Sequence, residues 1–479
     1  MAFAAARAQY ERRWGPADPD ASSSTSGAGP AATAVVGEAY TTERVLPEAA
    51  REVTEAAAVT RTGSPRTAML EGGVNRTVFW SAFIDLHVPK KCNLQCDRFS
   101  FFKLCMELPT AQPSLLHGLD TLSLIQIGSI TNDKRLLKEA TQTYAKALKA
   151  LRHALSVQEL LHDDHILAAV MVLKVCEFYT ELASPKGVGW GEHVRGAQHL
   201  LALRGPASVQ TDVALELFAN ARHGALCHGL LTRRASAFAQ PSWSAVSRRG
   251  KVTDQSSSLH DIAIRIPGLL EQYDGLDPQR HGHVDEIDAF LAEARSIEQG
   301  MRTWLSNWAA GQYETRSVDE FANFSSLCSD RTFGTAHMFK DFMVAYLHST
   351  YWICMSFLRT TVRGLHAARA VSVRGYMPSP GQAVREEEIL EYIVNMCQCI
   401  PYFCEPASST MGCISIFLPL RTAALYFTGQ GMLARARWVG NVRRSCLNKG
   451  LAPPSIDKMK LRDCGDLALY RADAKACFA

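Results

Sequence analysis

Apolar residues recur at three- and four-residue spacing through most of the chain after residue 74. The segment Asp133 to Ser156 shows this pattern clearly, with Lys and Arg on many of the remaining positions. The spacing aligns apolar side chains on one face of a helix and so predicts an amphipathic helix. The apolar positions are Leu137, Ala140, Tyr144, Ala147, Leu148, Leu151 and Leu155.

Two later segments predict helices of other kinds. Residues Ile166 to Cys176 are apolar on nearly every side, which predicts a central helix that Asp163 or Asp164 can cap. In the segment Ser408 to Thr428, Pro419 is placed to kink a helix. The sequence shows no alternating strand pattern of useful length, no unit of strand, Gly-rich loop and helix, and no fixed-period repeat. The pattern predicts an all-α fold, a large array of antiparallel helix pairs.

Two stretches depart from this helical pattern. Residues 1–73 are rich in Ala, Ser, Thr, Gly and Pro and have almost no large apolar residues, so burial could not offset the entropy lost on ordering them. They predict a disordered tail, and residues 74–479 then form the helical domain. Within that domain the polar segment Ser244 to Ser258, which contains Gly250, predicts an internal loop.

Length and composition narrow the class of protein. A chain of 479 residues can bury one large core or two smaller ones, and its 47% of hydrophobic residues is ordinary for a globular protein. The best candidate for a membrane span, Val344 to Leu358, is interrupted by His348, Ser349 and Thr350 before reaching the ~18 apolar residues that a span needs. The first residues do not have the composition of a secretory signal. We therefore expect a protein that stays inside the cell and has no membrane partner.

The charge balance limits how the chain can meet nucleic acid. Its net charge is +4, from 51 Lys and Arg against 47 Asp and Glu, so any contact with DNA needs a local basic patch. The best candidate for nuclear import or phosphate contact is Arg248 and Arg249 with Lys251, because exposed, flexible basic residues can be bound in extended form. A basic pair is more often only a solvated face. The other basic pairs are Lys90–Lys91, Arg233–Arg234 and Arg443–Arg444.

Fourteen cysteines at irregular spacing predict reduced, mostly buried thiols without a disulfide framework. Three groups of residues have side chains of the types that bind metals. Each group has too few ligands, the wrong spacing along the sequence, or side chains that diverge on a helix. We expect no metal site and no cofactor. The three groups are Cys92, Cys96 and Cys105; Cys397, Cys399, Cys404 and Cys413; and His162, Asp163, Asp164 and His165 with His193 and His199.

The sequence lacks the common catalytic signatures. GxSxG, HExxH, GxxxxGK[ST] and GxGxxG are all absent. Since no motif singles out a Ser, His or Asp for catalysis, we expect that the chain is not an enzyme.

The segment from Trp190 to Pro206, WGEHVRGAQHLLALRGP, is the most specific in the chain. Gly196 predicts the close approach of a neighbouring backbone, and we therefore expect Gly196→Leu to unfold the protein. Gly205 with Pro206 predicts the end of a helix. Arg195 predicts a structural ion pair or a contact with a carbonyl. The proposed structural motif consists of Trp190, His193, Arg195, Gly196, Ala197, Arg204 and Gly205.

The order and spacing of this segment resemble the central helical domain of fungus-specific transcription regulators, which usually follows a Zn2Cys6 DNA-binding cluster. Further pieces resemble the same domain in the same order: LFANARHGAL, QPSW, SLHDIAIRIPGLL, IPYF, LPLRTAALYF and RWVGNV. The resemblance implies a nuclear regulator with a domain that supports regulation and dimerisation. It further implies control of fungal genes, often those of a secondary-metabolite biosynthetic cluster.

The chain departs from the family pattern at the DNA-binding cluster, because no cysteine precedes Cys92. We therefore expect DNA to be reached indirectly, through a DNA-binding transcription factor or a second copy of this chain. The alternative is a helical enzyme or ligand-binding protein whose pocket is hidden from sequence inspection. A deep pocket with convergent ionisable residues favours this alternative, whereas a filled core with exposed apolar grooves favours the regulator.

Overall fold

Helices dominate the structure, a computed structural model that describes eight stretches of the chain. These stretches are residues 73–90, 100–108, 112–183, 188–248, 255–276, 283–308, 312–446 and 450–452. The predicted disordered tail lies outside them except for Gly73, at which the first helix begins. The sequence candidates Cys92, Cys96, Arg249 and Lys251 also lie outside the described residues.

The first part of the fold is built from α-helices joined by short connections. Asp133, Asp163 and Thr211 each cap a helix by accepting a hydrogen bond from a backbone N–H of its first turn. Of the two predicted capping residues, Asp163 and Asp164, Asp163 is the one that caps α5. The helices are α1 (Gly73–His87), α2 (Ser100–Glu107), α3 (Pro113–Thr131), α4 (Lys134–Ser156), α5 (Asp164–Cys176), α6 (Gly189–Arg204) and α7 (Asp212–Thr232).

Helices α3 and α4 form an antiparallel pair joined only by Asn132 and Asp133. Asn132 adopts the left-handed conformation with φ of 55°, which Asn tolerates better than most residues. The amphipathic helix predicted between Asp133 and Ser156 is confirmed, and its apolar face lies in the core. Helix α5 is buried along all of Ile166 to Cys176, as predicted, and packs against α3, α6 and α7.

The second part of the fold adds further helices and a two-stranded sheet. The helices are α8 (Pro241–Ser247), α9 (Gln255–Ala263), α10 (Ile266–Gly275), α11 (Val284–Trp308), α12 (Ala322–Leu327), α13 (Phe342–Ser372), α14 (Glu386–Cys404), α15 (Ser409–Ser415), α16 (Phe417–Gly429) and α17 (Leu433–Cys446). The strands are β1 (Tyr313–Ser317) and β2 (Thr335–Phe339).

A two-stranded sheet accompanies the helices, although the sequence shows no alternating strand pattern of useful length. Strand β1 pairs antiparallel with β2 in a register from Tyr313 opposite Phe339 to Ser317 opposite Thr335, and β2 packs against α14. Each strand has five residues, and their connection contains α12, so neither a long alternation nor a tight hairpin turn appears in the sequence. The sheet is small, and the all-α prediction is confirmed for the described residues.

The predicted kink near Pro419 is also confirmed. Helices α15 and α16 are separated at Ile416, and the chain bends by 51° between the Pro406–Ser415 and Phe417–Gly429 segments. None of the described helices has by itself the length and apolarity to cross a membrane; this bent pair reaches them only when its two parts are counted together.

The predicted polar loop from Ser244 to Ser258 is shorter than expected. Its first residues belong to α8, which Pro241 opens and which buries Trp243 and Val246. Its last residues belong to α9. The sequence pattern missed these ends because each helix there is short, with seven residues in α8 and nine in α9.

The buried apolar residues form one contiguous cluster that extends from Phe79 in α1 to Leu451. Ion pairs join its outer helices. Arg359 of α13 lies between Glu298 of α11 and Glu388 of α14, at 2.6 and 2.9 Å, and Arg302 contacts the same two carboxylates. The four alternating charges hold α11, α13 and α14 together, because each carboxylate has two cationic partners.

Candidate functional site

A cavity of about 420 Å³ lies between α5, α6, α7, α13, α15, α16 and α17. This volume is within the range of roughly 300–1,000 Å³ that is typical of small-molecule sites. Its walls are mainly apolar and aromatic. The aromatic residues are Phe102, Phe178, Trp190, Tyr346 and Phe417.

Trp190 connects the cavity to the segment that the sequence singled out. Its side chain is buried, with its ring centroid 6.3 Å from that of Phe178 and 6.0 Å from that of His228. Phe178 in turn contacts Phe417 of α16, centroid to centroid at 5.5 Å. The Trp190 segment therefore supplies one wall of the cavity.

Lys174 is a cationic side chain inside this apolar environment. It is only 7% exposed and is the single basic residue after His165 in the otherwise apolar α5. Its Nζ donates a hydrogen bond to Asn220 Oδ1 at 2.6 Å, and no carboxylate of the described residues pairs with it. Burial lowers the pKa of Lys174 to about 8, because the apolar surroundings disfavour the charged form.

A chain of hydrogen bonds runs beside Lys174 from Tyr346 through two histidines. His260 Nδ1 donates to the Ser256 carbonyl at 2.8 Å, which leaves its Nε2 to accept from His223 Nδ1 at 3.0 Å. His223 Nε2 then accepts from the Tyr346 hydroxyl. Cys227 Sγ lies 3.2 Å from the same His223 Nε2. The chain occupies the ring nitrogens of both histidines, and Lys174 lies among the same cavity-lining residues.

The charged groups that line the cavity have one sign. Lys174, Arg421 and Arg443 line it, and its described lining contains no Asp or Glu. Arg443 and Leu425 are exposed, so the cavity opens towards solvent along α16 and α17. The potential in the cavity therefore favours an anion.

The start of α6 is organised by a buried carboxylate. Glu177 accepts a hydrogen bond from the Tyr144 hydroxyl at 2.5 Å and lies against Gly189, the first residue of the helix. A carboxylate at a helix N-terminus interacts favourably with the helix dipole. His193 Nε2 lies 3.4 Å from the same hydroxyl, and burial, followed by the nearby charge of Lys174, lowers the pKa of His193 to about 4. The predicted motif residue His193 thus stays neutral within the helical array.

The end of α6 is held by Arg204. Its side chain is 2% exposed, and its guanidinium donates to the carbonyl of Leu161 at 2.6 Å, the carbonyl of Asp163 at 2.7 Å and Oδ1 of Asp164 at 2.9 Å. Gly205 then ends the helix with a positive φ of 75°, as predicted. The motif residue Arg204 therefore connects α6 to the beginning of α5.

The middle of α6 confirms one expectation and corrects another. Arg195 forms the predicted structural ion pair, with Glu192 of the same helix, and Ala197 is buried. The close backbone approach expected at Gly196 is wrong. A β-carbon there would meet only Val170 Cγ1, at 4.0 Å, which is an ordinary contact. The tight glycine of this helix is Gly189.

The candidate metal ligands occupy separate structural positions. Among the described residues no three His, Cys, Asp or Glu side chains form a group that could hold a metal ion. Cys105, Cys397, Cys399 and Cys404 are buried thiols, as predicted, whereas Cys413 is half-buried. His165 Nδ1 pairs with its own cap residue Asp163 at 2.6 Å, and His199 is exposed.

One of the predicted basic pairs, Arg233–Arg234, is already engaged inside the chain. Arg233 pairs with Asp274 at 2.6 Å and Arg234 pairs with Glu271 at 2.5 Å. Arg248 keeps its side chain 70% exposed, 3.8 Å from Asp261.

Sequence inspection missed the cavity residues Lys174, His223 and Cys227. One signal was present, the isolated lysine within the apolar run of α5. A lone Lys in a helix that is buried on every side needs either an internal partner or a ligand.

Comparison with known proteins shows the family. The chain belongs to the fungal specific transcription factor domain family, whose model matches residues 83–430. An uncharacterized protein of Emericella nidulans is 26% identical over 188 residues, which cover 37% of this chain and 40% of that protein. The chain therefore spans less than half the length of this relative, and no solved structure matches it. The family is one of transcription regulators, which act in general in the nucleus.

Proposed function

We propose that the chain is a nuclear regulator of a fungal secondary-metabolite biosynthetic gene cluster and reaches DNA through a DNA-binding partner. The observation that carries the regulatory role is the family match over residues 83–430, which includes the Trp190 helix and most of the cavity wall. The internal ion pairs of Arg233 and Arg234 support an indirect route to DNA, because they leave fewer basic groups to meet phosphates.

The regulatory role is tested by deleting the gene and profiling RNA, with the wild-type gene restored as the control. We expect a defined set of neighbouring biosynthetic genes to change, and chromatin occupancy of the tagged chain to fall on their promoters. Unchanged transcripts in the deletion strain, or occupancy spread without preference, contradict the proposal.

The route to DNA is tested by repeating the occupancy measurement in strains that lack individual DNA-binding regulators. We expect occupancy to disappear when the partner is removed, because base readout needs a rigid element held against the base edges. Occupancy that survives removal of every such regulator bound at these promoters shows that the chain reads DNA itself.

Nuclear import is a separate test of Arg248, Arg249 and Lys251. Replacing all three with Ala is expected to shift a fluorescent fusion towards the cytoplasm, since import signals are exposed basic clusters. The matched control replaces Lys134, Lys138 and Lys149, three exposed basic residues of α4, and is expected to leave localisation unchanged. Equal localisation of both triple variants shows that the signal lies elsewhere.

A second candidate function, ligand binding, is favoured by the cavity. Lys174, His223, Cys227 and Tyr346 converge on its wall, which is the feature expected of the ligand-binding alternative. Regulation and ligand binding are compatible in one helical domain.

A further inference from the structure

The buried ammonium of Lys174 has less compensation than its environment requires. Three N–H donors are present on Nζ, and Asn220 accepts a single hydrogen bond among the described residues. An unpaired charge in an apolar interior is costly, and an anion placed beside it reduces that cost. Gly224 of α7 lies beside this charge, and a β-carbon there would stand 3.6 Å from Nζ, in ordinary contact.

The walls around this charge select against small or highly hydrated anions. Phe178, Trp190, Ile353 and Phe417 surround the space with apolar surface. Inorganic phosphate or a nucleotide would lose its hydration and gain a single buried cation in return. An apolar body of ligand size gains free energy from the same surface.

The opening of the cavity also favours a ligand that carries both a negative charge and an apolar part. Arg443 is exposed and Arg421 half-buried among the residues that line the cavity, and neither Asp nor Glu lies among its described lining. Cations near the entrance raise the local concentration of anions. Exposed Leu425 adds apolar surface at the same edge.

We propose that the cavity binds an amphipathic organic monoanion, an aliphatic or aromatic carboxylic acid. Its carboxylate pairs with Lys174 Nζ, and its apolar body packs against Phe178, Trp190 and Phe417. The assignment does not depend on the proposed regulatory role, and its test measures binding and not transcription.

The class of ligand is tested by calorimetry on the full chain, below the concentrations at which the probes form micelles. The probes are octanoate, dodecanoate, hexadecanoate and 2-naphthoate, each compared with the alcohol or amide of the same skeleton. We expect saturable binding, near one per chain, of at least one acid, and weaker binding of its neutral counterpart. Absence of saturable binding by all four acids, or equal binding of acids and neutral counterparts, overturns the proposal.

The role of Lys174 is tested with Lys174→Met, which keeps a flexible side chain of similar length and removes the charge. Affinity for the acid is expected to fall roughly tenfold or more, while affinity for the neutral counterpart stays the same. Lys146→Met in α4, away from the cavity, is the matched control and is expected to change neither. Unchanged acid affinity in Lys174→Met overturns the pairing.

The cavity itself is tested without touching Lys174. Ala424 lies half-buried on the wall, and Ala424→Trp is expected to abolish binding of acid and neutral probe together by filling the space. Ala434→Trp, at an exposed position of α17, is the control. If Lys174→Met fails to fold, these two Trp variants still test whether the ligand binds in the cavity. Full binding of the acid by Ala424→Trp contradicts that location.

Thiol labelling gives an independent readout. Cys227 lines the cavity and Cys413 does not, although both are half-buried. A bound acid is expected to slow alkylation of Cys227 severalfold, measured peptide by peptide, and to leave the rate at Cys413 unchanged. Equal rates at Cys227 with and without saturating acid place the ligand elsewhere.

Discussion

The carboxylate of Glu177 occupies the place that a β-carbon on Gly189 would need. Glu177 is 6% exposed and is held by the Tyr144 hydroxyl, so it cannot move aside without losing that hydrogen bond. The glycine that begins the Trp190 helix is therefore required by packing, whereas Gly196, seven residues later, has room for a side chain.

Gly189→Ala and Gly196→Ala are expected to change stability in opposite directions. Gly189→Ala displaces the Glu177 carboxylate and should lower the free energy of unfolding by about 1–3 kcal/mol. Gly196→Ala should raise it by up to about 1 kcal/mol, because Ala is the better helix former and fits here without a clash. Denaturant unfolding of the full chain measures both, and equal effects of the two variants would contradict this packing account.

Arg204→Met is expected to destabilise the protein by about 3–5 kcal/mol. The substitution leaves the carbonyls of Leu161 and Asp163 and the carboxylate of Asp164 without their buried donor. Arg195→Met in the same helix is the control and should cost at most about 1 kcal/mol, since the Arg195 side chain is 43% exposed. Thermal and urea unfolding that ranks the two variants the other way shows that Arg204 is not a structural clamp.

Stability is expected to fall as the pH drops below about 6.5. Burial lowers the pKa of both His87 and His348 to about 4, so that between pH 6.5 and about 4 the unfolded chain binds protons that the folded chain does not. Each histidine then removes about 1.4 kcal/mol of stability per pH unit within this window. Above pH 6.5 the two histidines are neutral in the folded and in the unfolded chain, so they no longer make stability depend on pH.

His348→Gln isolates one of these contributions. The His348 ring donates to the Val344 carbonyl and is 1% exposed, and glutamine offers a donor that does not titrate. The slope of unfolding free energy against pH between 6.5 and about 4 should become shallower by about 1.4 kcal/mol per unit. An unchanged slope indicates that His348 is protonated in the folded protein.

The purified chain is expected to bind DNA weakly and without a preferred site. Arg233 and Arg234 are paired with carboxylates, and the net charge is only +4. Affinity should be no tighter than the non-specific range of about 10⁻⁴–10⁻⁶ M at physiological salt and should fall as salt rises. Selection from a random DNA library tests this, and enrichment of one motif by the chain alone would falsify it.

The purified chain is also expected to hold no structural zinc. A closed site needs four thiolate or imidazole ligands, and among the described residues the candidate side chains do not group in that way. Elemental analysis of the full chain should give well below one zinc per chain. A stoichiometric metal that is released only on unfolding contradicts the expectation.

Local pattern was enough to determine much of the fold. The spacing of apolar residues predicted α4 and the fully buried α5, and Asp163 was one of two predicted caps. The order of short pieces around Trp190 indicated the family that the comparison with known proteins shows. The two helices and the cap depend on neighbours within one or two helical turns, so the local sequence determines them.

The tertiary structure decided the features that depend on distant residues. The hydrogen bond between Tyr346 and His223 joins residues that are 123 positions apart. Strand β1 pairs with β2 across a connection that contains α12. Gly189 and Gly196 are both glycines of α6, and the sequence pattern does not show which of them packing requires. The position of the Glu177 carboxylate against Gly189 decides it. Helical periodicity shows which faces turn inward but not whether those faces close completely, so the cavity around Lys174 appears only when the helices are assembled.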